Sequence, residues 1–120
     1  MEKVNLAEKL DRIHDYWRPK VIGELNGQEV KLVKLKGDFV WHQHPDADEL
    51  FLVLAGELVI QLRGGGVTLR QGEMYIVPRG VEHRTLAYEE THVVVFEPAG
   101  TRNTGNVEHP TLTAPDGVRI

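Results

Sequence analysis

The sequence contains no cysteine, which excludes disulfide scaffolds, thiolate metal sites and cysteine nucleophiles. Long apolar runs are missing too. Nothing approaches the roughly 20 consecutive apolar residues that a membrane-crossing helix requires. Basic residues are outnumbered: 14 Lys and Arg stand against 18 Asp and Glu, for a formal charge of −4. The positive footprint that nucleic-acid phosphates demand is therefore lacking. The opening Met1-Glu2-Lys3-Val4-Asn5 has none of the charged-then-apolar texture of a signal peptide. These absences lead to the expectation of a cytoplasmic protein that acts on a small molecule, with neither nucleic acid nor membrane as partner.

What is present is a chain of 120 residues, 41% apolar and 27% charged, sufficient for one core without covalent staples. Residues 1–19 read as an N-terminal helical segment. Asn5 is placed to cap it, Glu8 stands at the capping-box position, and Leu6, Leu10, Ile13 and Trp17 recur at helical spacing up to Pro19. From residue 20 to 97 the texture is that of short strands separated by Gly and Pro: 21–25, 28–36, 39–44, 49–54, 57–63, 67–70, 74–77, 83–87 and 91–96. Asn26-Gly27 is a strong hairpin dipeptide between the first two. Between Leu32 and Val33 the apolar phase shifts, which points to a bulge or a misplaced boundary. Residues 98–120 form an irregular tail, either an ordered crossing loop or a loose terminus. The fold class is all-β, a jelly-roll barrel with a short N-terminal helix.

Three of the six histidines fall in an informative arrangement. His42 and His44, two apart on an expected strand, share a face with Cα atoms about 6.5–7 Å apart, close enough for both imidazoles to reach one ion. Glu49 opens the next strand after a turn containing Pro45 and Asp46, and His83 follows the Pro78-Arg79-Gly80 turn. Three imidazoles with one carboxylate suit a divalent transition metal, Mn, Fe, Ni, Cu or Zn, better than Ca or Mg, and leave coordination positions open. His14, His92 and His109 are isolated and read as ordinary surface or core-edge histidines. Asp48, Arg79 and Glu82 flank the cluster but lie in turns or alternate away from it.

The stretch from Gly37 to Gly56 reads G-x4-H-x-H-x4-E-x6-G, and that from Gly72 to His83 reads G-x5-P-x-G-x2-H. These resemble the two motifs of the cupin superfamily of jelly-roll barrels. The first family motif usually has one more residue before its first His, and the Asn that often ends the second is Ala87 here. Neither departure touches a ligand position. The resemblance implies that His42, His44, Glu49 and His83 are the metal ligands, in agreement with the spacing argument. It also implies a homodimer, with dioxygenase-type or isomerase/lyase-type chemistry on a small-molecule substrate.

Strand parity places Val40 with His42 and His44, Phe51 and Val53 with Glu49, and Val81 and Thr85 with His83, an apolar lining. Phosphate is held best by Arg or Lys, and only Lys31 is a candidate interior cation, which disfavours a phosphosugar. Three readings follow: a metalloenzyme, a non-catalytic ligand-binding or sensory module, and a site where metal only cross-links strands. The outward run Leu50, Leu52, Leu54 needs cover from a second sheet or a second subunit.

Overall fold

The computed structural model describes residues 2–120. A five-residue helix α1 (Leu6–Leu10) is followed by seven strands: β1 (Lys20–Leu25), β2 (Gln28–Asp38), β3 (Glu49–Ala55), β4 (Glu57–Leu62), β5 (Gly65–Arg70), β6 (Met74–Val77) and β7 (His83–Pro98). All pairings among them are antiparallel. The architecture is the expected all-β jelly roll with a short N-terminal helix. No helix among the described residues is long and apolar enough to cross a membrane.

The 16-residue β7 organises the barrel. Along its length it pairs with β2, while its other edge pairs with β4 through His83–Leu86 and with β3 through His92–Phe96. Strand β6 extends the β3 side and β5 the β4 side. The sequence reading divided β7 into 83–87 and 91–96, because Tyr88-Glu89-Glu90 interrupts the apolar alternation. These three residues are exposed, yet the backbone continues across the change of partner. Gly56 permits that change: a Cβ there would lie 2.6 Å from Thr91 Oγ1 and 3.1 Å from the Glu90 carbonyl oxygen. Asn26 and Gly27 take φ of 52° and 77°, as the tight hairpin turn requires.

Two apolar clusters hold the chain. The inner one joins Val33, Leu35, Phe51, Val53, Leu58, Ile60, Val93 and Val95 from β2, β3, β4 and β7. The outer one places Ile13 against Leu32 and Val94, with Leu52, Leu54 and Ile120 packed on it. This outer layer explains the phase shift in β2. Leu32 and Val33 are both buried, on opposite faces, and the β2–β7 register runs unbroken from Gln28 to Leu35. The irregularity lies further on, between Leu35 and Gly37. Leu52 and Leu54 are thus covered in part by this chain's own termini.

The helical expectation for residues 6–17 is corrected. Asn5 does cap α1, its Oδ1 accepting from the Glu8 amide at 3.0 Å, but the helix ends at Leu10. One turn is close to the costly nucleation limit, and the apolar stripe finds better burial in another form. Ile13 enters the outer cluster, the Lys34 ammonium donates to the Ile13 carbonyl at 2.8 Å, and the Trp17 amide donates to the Lys34 carbonyl at 3.0 Å.

The tail is ordered. Asn106 exchanges two hydrogen bonds with the Gln43 backbone, and Val21 exchanges two with Val118 and Ile120. The Asn103 side chain bonds the carbonyls of Trp17 and Leu112 and the amide of Ala114.

Candidate metal centre

Residues 39–44 do not form the expected strand. The Phe39 amide donates to the Thr85 carbonyl at 2.9 Å, and His42 and His83 exchange two backbone hydrogen bonds of 2.9 Å. Three residues on one side thus span two on the other, a bulge that shifts side-chain parity. Phe39 turns inward in place of Val40, and its ring meets that of His42 edge-on, 5.5 Å between centroids. The segment is also tied by the Gly80 amide to the His44 carbonyl at 2.9 Å.

His42, His44, Glu49 and His83 are all buried, and one ligand atom from each lies within 4.8 Å of the others. The sequence-predicted residues are therefore brought together, and they could hold one metal ion. His83 is wholly enclosed. Its Nε2 and that of His44 each stand 3.3 Å from Glu49 Oε1.

The donor chemistry of the cluster fits a cation. His42 Nδ1 lies 2.8 Å from the Val40 carbonyl, and His83 Nδ1 lies 2.9 Å from the Val81 carbonyl. Each Nδ1 therefore carries the proton, and each Nε2 presents a lone pair inward, the arrangement that outer hydrogen bonds impose on metal-binding imidazoles. In the neutral state His83 Nε2 and Glu49 Oε1 are two acceptors face to face, and His44 Nε2 is buried without a hydrogen-bond donor or acceptor in line. One ion among the four relieves all of these contacts. Burial, reinforced by His83, lowers the His42 pKa to about 4, so this ring is neutral and available as a ligand near pH 7. Burial alone would raise the Glu49 pKa, but its close polar neighbours His44, His83 and Glu97 hold it well below the usual carboxylate range.

A cavity of about 40 Å³ opens beside the cluster, lined by His42, Glu49, Trp17, Val33, Leu35, Phe39, Phe51, Thr85 and Val95 together with Pro19, Glu97 and Asn103. Phe51 and Thr85 stand where parity placed them. Val40 is not part of the lining, because the bulge exchanges it for Phe39, and Val53 and Val81 pack in and against the inner apolar cluster instead. Glu97 and Asn103 are lining residues that the sequence does not single out, and Trp17, expected only to pack, lines the cavity as well. Glu97 continues the inward alternation of Val93 and Val95 one residue beyond the predicted strand end, and that alternation was the available signal. Its carboxyl is pushed well above the usual range by burial and then by Glu49, with Lys31 opposing. Lys31 is interior, as the sequence allowed, but its ammonium is committed: Glu97 Oε1 lies 3.0 Å away and Glu29 Oε1 3.8 Å.

The other flanking residues stay outside. Asp48 takes the Arg79 amide at 2.8 Å and closes an exposed turn, and Glu82 pairs with Arg63 on the surface. His92 pairs with Glu90 at 2.8 Å, and His109 Nδ1 accepts from the backbone of Leu112 at 3.0 Å. His14 is exposed.

Residues 29–99 match the family defined by the cupin domain, and this chain belongs to that family. Over 71 residues it is 41% identical to the uncharacterized protein YdbB of Bacillus subtilis strain 168, a match covering 58% of this chain and 63% of that protein. Among solved structures it is similar to a cupin-2 domain containing protein from Shewanella frigidimarina NCIMB 400 at 45% identity and a TM-score of 0.78, covering 79% of this chain and 93% of the other. It is also similar to protein NMB1881 from Neisseria meningitidis at 34% identity and a TM-score of 0.75, covering 82% and 100%.

Proposed function

We propose that this cupin is a metalloenzyme holding one divalent transition ion, Mn, Fe, Ni, Cu or Zn, on His42, His44, Glu49 and His83. Its substrate is a small, uncharged organic molecule. The observation that carries the reading is the convergence of four buried ligand atoms, with His42 and Glu49 among them at the wall of a largely apolar cavity. Such an ion, when bound, supplies Lewis acidity or oxygen activation. The chain's own residues shape what reaches it. Val33, Leu35, Phe39, Phe51 and Val95 make most of its wall apolar, which strengthens polar interactions beside them. Lys31 is neutralised by two acids and offers no free cation for a phosphate group.

Dioxygenase-type chemistry is favoured over isomerase or lyase chemistry by the scarcity of a free general base. The ionisable residues lining the cavity are His42 and Glu49, assigned as ligands, and Glu97, bound to Lys31. Proton abstraction from carbon needs an uncommitted base within hydrogen-bonding reach.

Elemental analysis of protein purified without added metal should find about one transition ion per chain. Oxygen consumption by that protein with small uncharged aromatic and carbonyl compounds should then separate the chemistries. Turnover without oxygen uptake would favour the isomerase or lyase reading. Tight binding without turnover would favour the sensory one. A site that is empty as purified and refuses all five metals in titration would overturn the assignment.

A further inference from the structure

The cavity wall holds a donor that the protein leaves unused. Trp17 lines the cavity, and its indole Nε1 is buried without any hydrogen-bond partner. Buried N–H groups are paired with few exceptions, and each exception calls for an explanation. The backbone adds an independent observation. Trp17 has φ of 61°, in the left-handed region that bulky side chains rarely adopt. Two hydrogen bonds maintain it there. Its amide donates to the Lys34 carbonyl at 3.0 Å, and its carbonyl accepts from Asn103 Nδ2 at 3.0 Å. Packing alone does not require this conformation, since an apolar ring could be buried from an unstrained backbone. The same tie fixes Asn103, whose side chain is fully engaged and so offers the cavity no free donor.

We infer that Trp17 is a specificity-determining residue whose indole N–H donates to an oxygen of the ligand, so that this site takes small uncharged molecules with a carbonyl-type acceptor on an apolar body. The inference deepens the proposed function and rests on its placement of the ligand in this cavity. The size of the cavity, about 40 Å³, limits the ligand to a small body. Charge limits it too. Lys31, the interior cation, is already paired with Glu97 and offers an anionic group no partner.

The test uses cyclopentanone and cyclopentane, two bodies of one shape with and without the acceptor oxygen. Trp17 is followed through its indole N–H nuclear magnetic resonance, in full-length protein both as purified and after metal removal. Trp41, which stacks with Arg63 3.9 Å above its ring, supplies the reference indole signal. Cyclopentanone should move the Trp17 signal downfield and cyclopentane should not. Trp17→Phe, which removes the N–H and keeps an aromatic ring, should weaken cyclopentanone about three- to tenfold, the range for one hydrogen bond, and leave cyclopentane within about twofold. An unmoved Trp17 signal with cyclopentanone, or equal loss of both probes in the variant, overturns the inference. The wild-type comparison stands even if the variant fails to fold. Metal content is read separately: full metal with an indifferent Trp17 rejects only this inference, whereas a probe-responsive Trp17 in a chain that takes no metal rejects only the metalloenzyme reading.

Discussion

His83 and Glu49 meet 3.3 Å apart inside the barrel although 34 positions separate them in the chain. The other ring nitrogen of His83 is anchored on the Val81 carbonyl, so the nitrogen facing Glu49 has no proton to offer in the neutral ring. The contact makes sense with a cation between them. The same argument extends to His44, which stands at the same distance from the same oxygen.

Loss of one ligand should therefore be felt in metal retention. His44→Ala is expected to lower the metal content of purified protein to a small fraction of one ion per chain, while His92→Ala leaves it unchanged. Elemental analysis of both variants after the same dialysis checks this. Equal retention would remove His44 from the ligand set.

The metal-free protein should lose stability in acid through His42. Its folded pKa of about 4 lies below the ordinary 6.5. Between those values the unfolded chain takes up a proton that the folded ring refuses. Stability is thus full above about pH 6.5 and declines as the pH falls toward 4, by about 3 kcal/mol in all. Urea denaturation of wild type and His42→Gln at pH 7 and pH 4 isolates the effect, because the variant should lack this part of the decline.

Lys31 should be costly to remove. Its ammonium lies between Glu97 and Glu29, and all three side chains are almost completely buried. Lys31→Met leaves two buried acids without their cation, and breaking a buried ion pair from one side costs about 3–5 kcal/mol. Denaturation midpoints at pH 7 measure the loss. A change below about 1 kcal/mol would show that the acids find other relief.

We also propose that the chain forms a homodimer through the outer face of β3 and β6. The cross-strand pairs Leu50–Ile76 and Leu52–Met74 line that face, and Met74 and Ile76 are 52% and 48% exposed. Ile76→Glu should shift sedimentation from dimer to monomer while leaving circular dichroism unaltered. Wild type that sediments only as monomer at high concentration contradicts the dimer.

The sequence made the barrel legible because its strands announce themselves by Gly- and Pro-bounded runs, and the four ligand-type residues because their spacing survives local irregularity. His42 and His44 converge even though their segment is not a ladder strand. A bulge changes parity before His42 and leaves the His42–His44 interval intact, so the ligand reading held while the predicted lining by Val40 failed. Trp17 was hidden for another reason. Helical spacing in 6–17 records burial, and a path of turns and bends pinned by Lys34 brings Ile13 into the outer cluster and Trp17 to the cavity without a helix. Glu97 lay one residue past a strand end set by loss of apolar character, although its charge is stabilised by Lys31, a partner 66 positions away.

Strand β7 carries His83 at its first position and Glu97 at its last but one, and it is hydrogen-bonded to β2, β3 and β4. The ligand candidate His83 and the cavity-lining Thr85, Val95 and Glu97 are therefore mounted on a single beam clamped along both edges. Amide hydrogens of β7 on either side of Tyr88–Glu90 should exchange among the slowest in the chain, since opening either half means parting β2 together with β4 or β3. Trp17 and Asn103, by contrast, reach the cavity from segments outside the sheet.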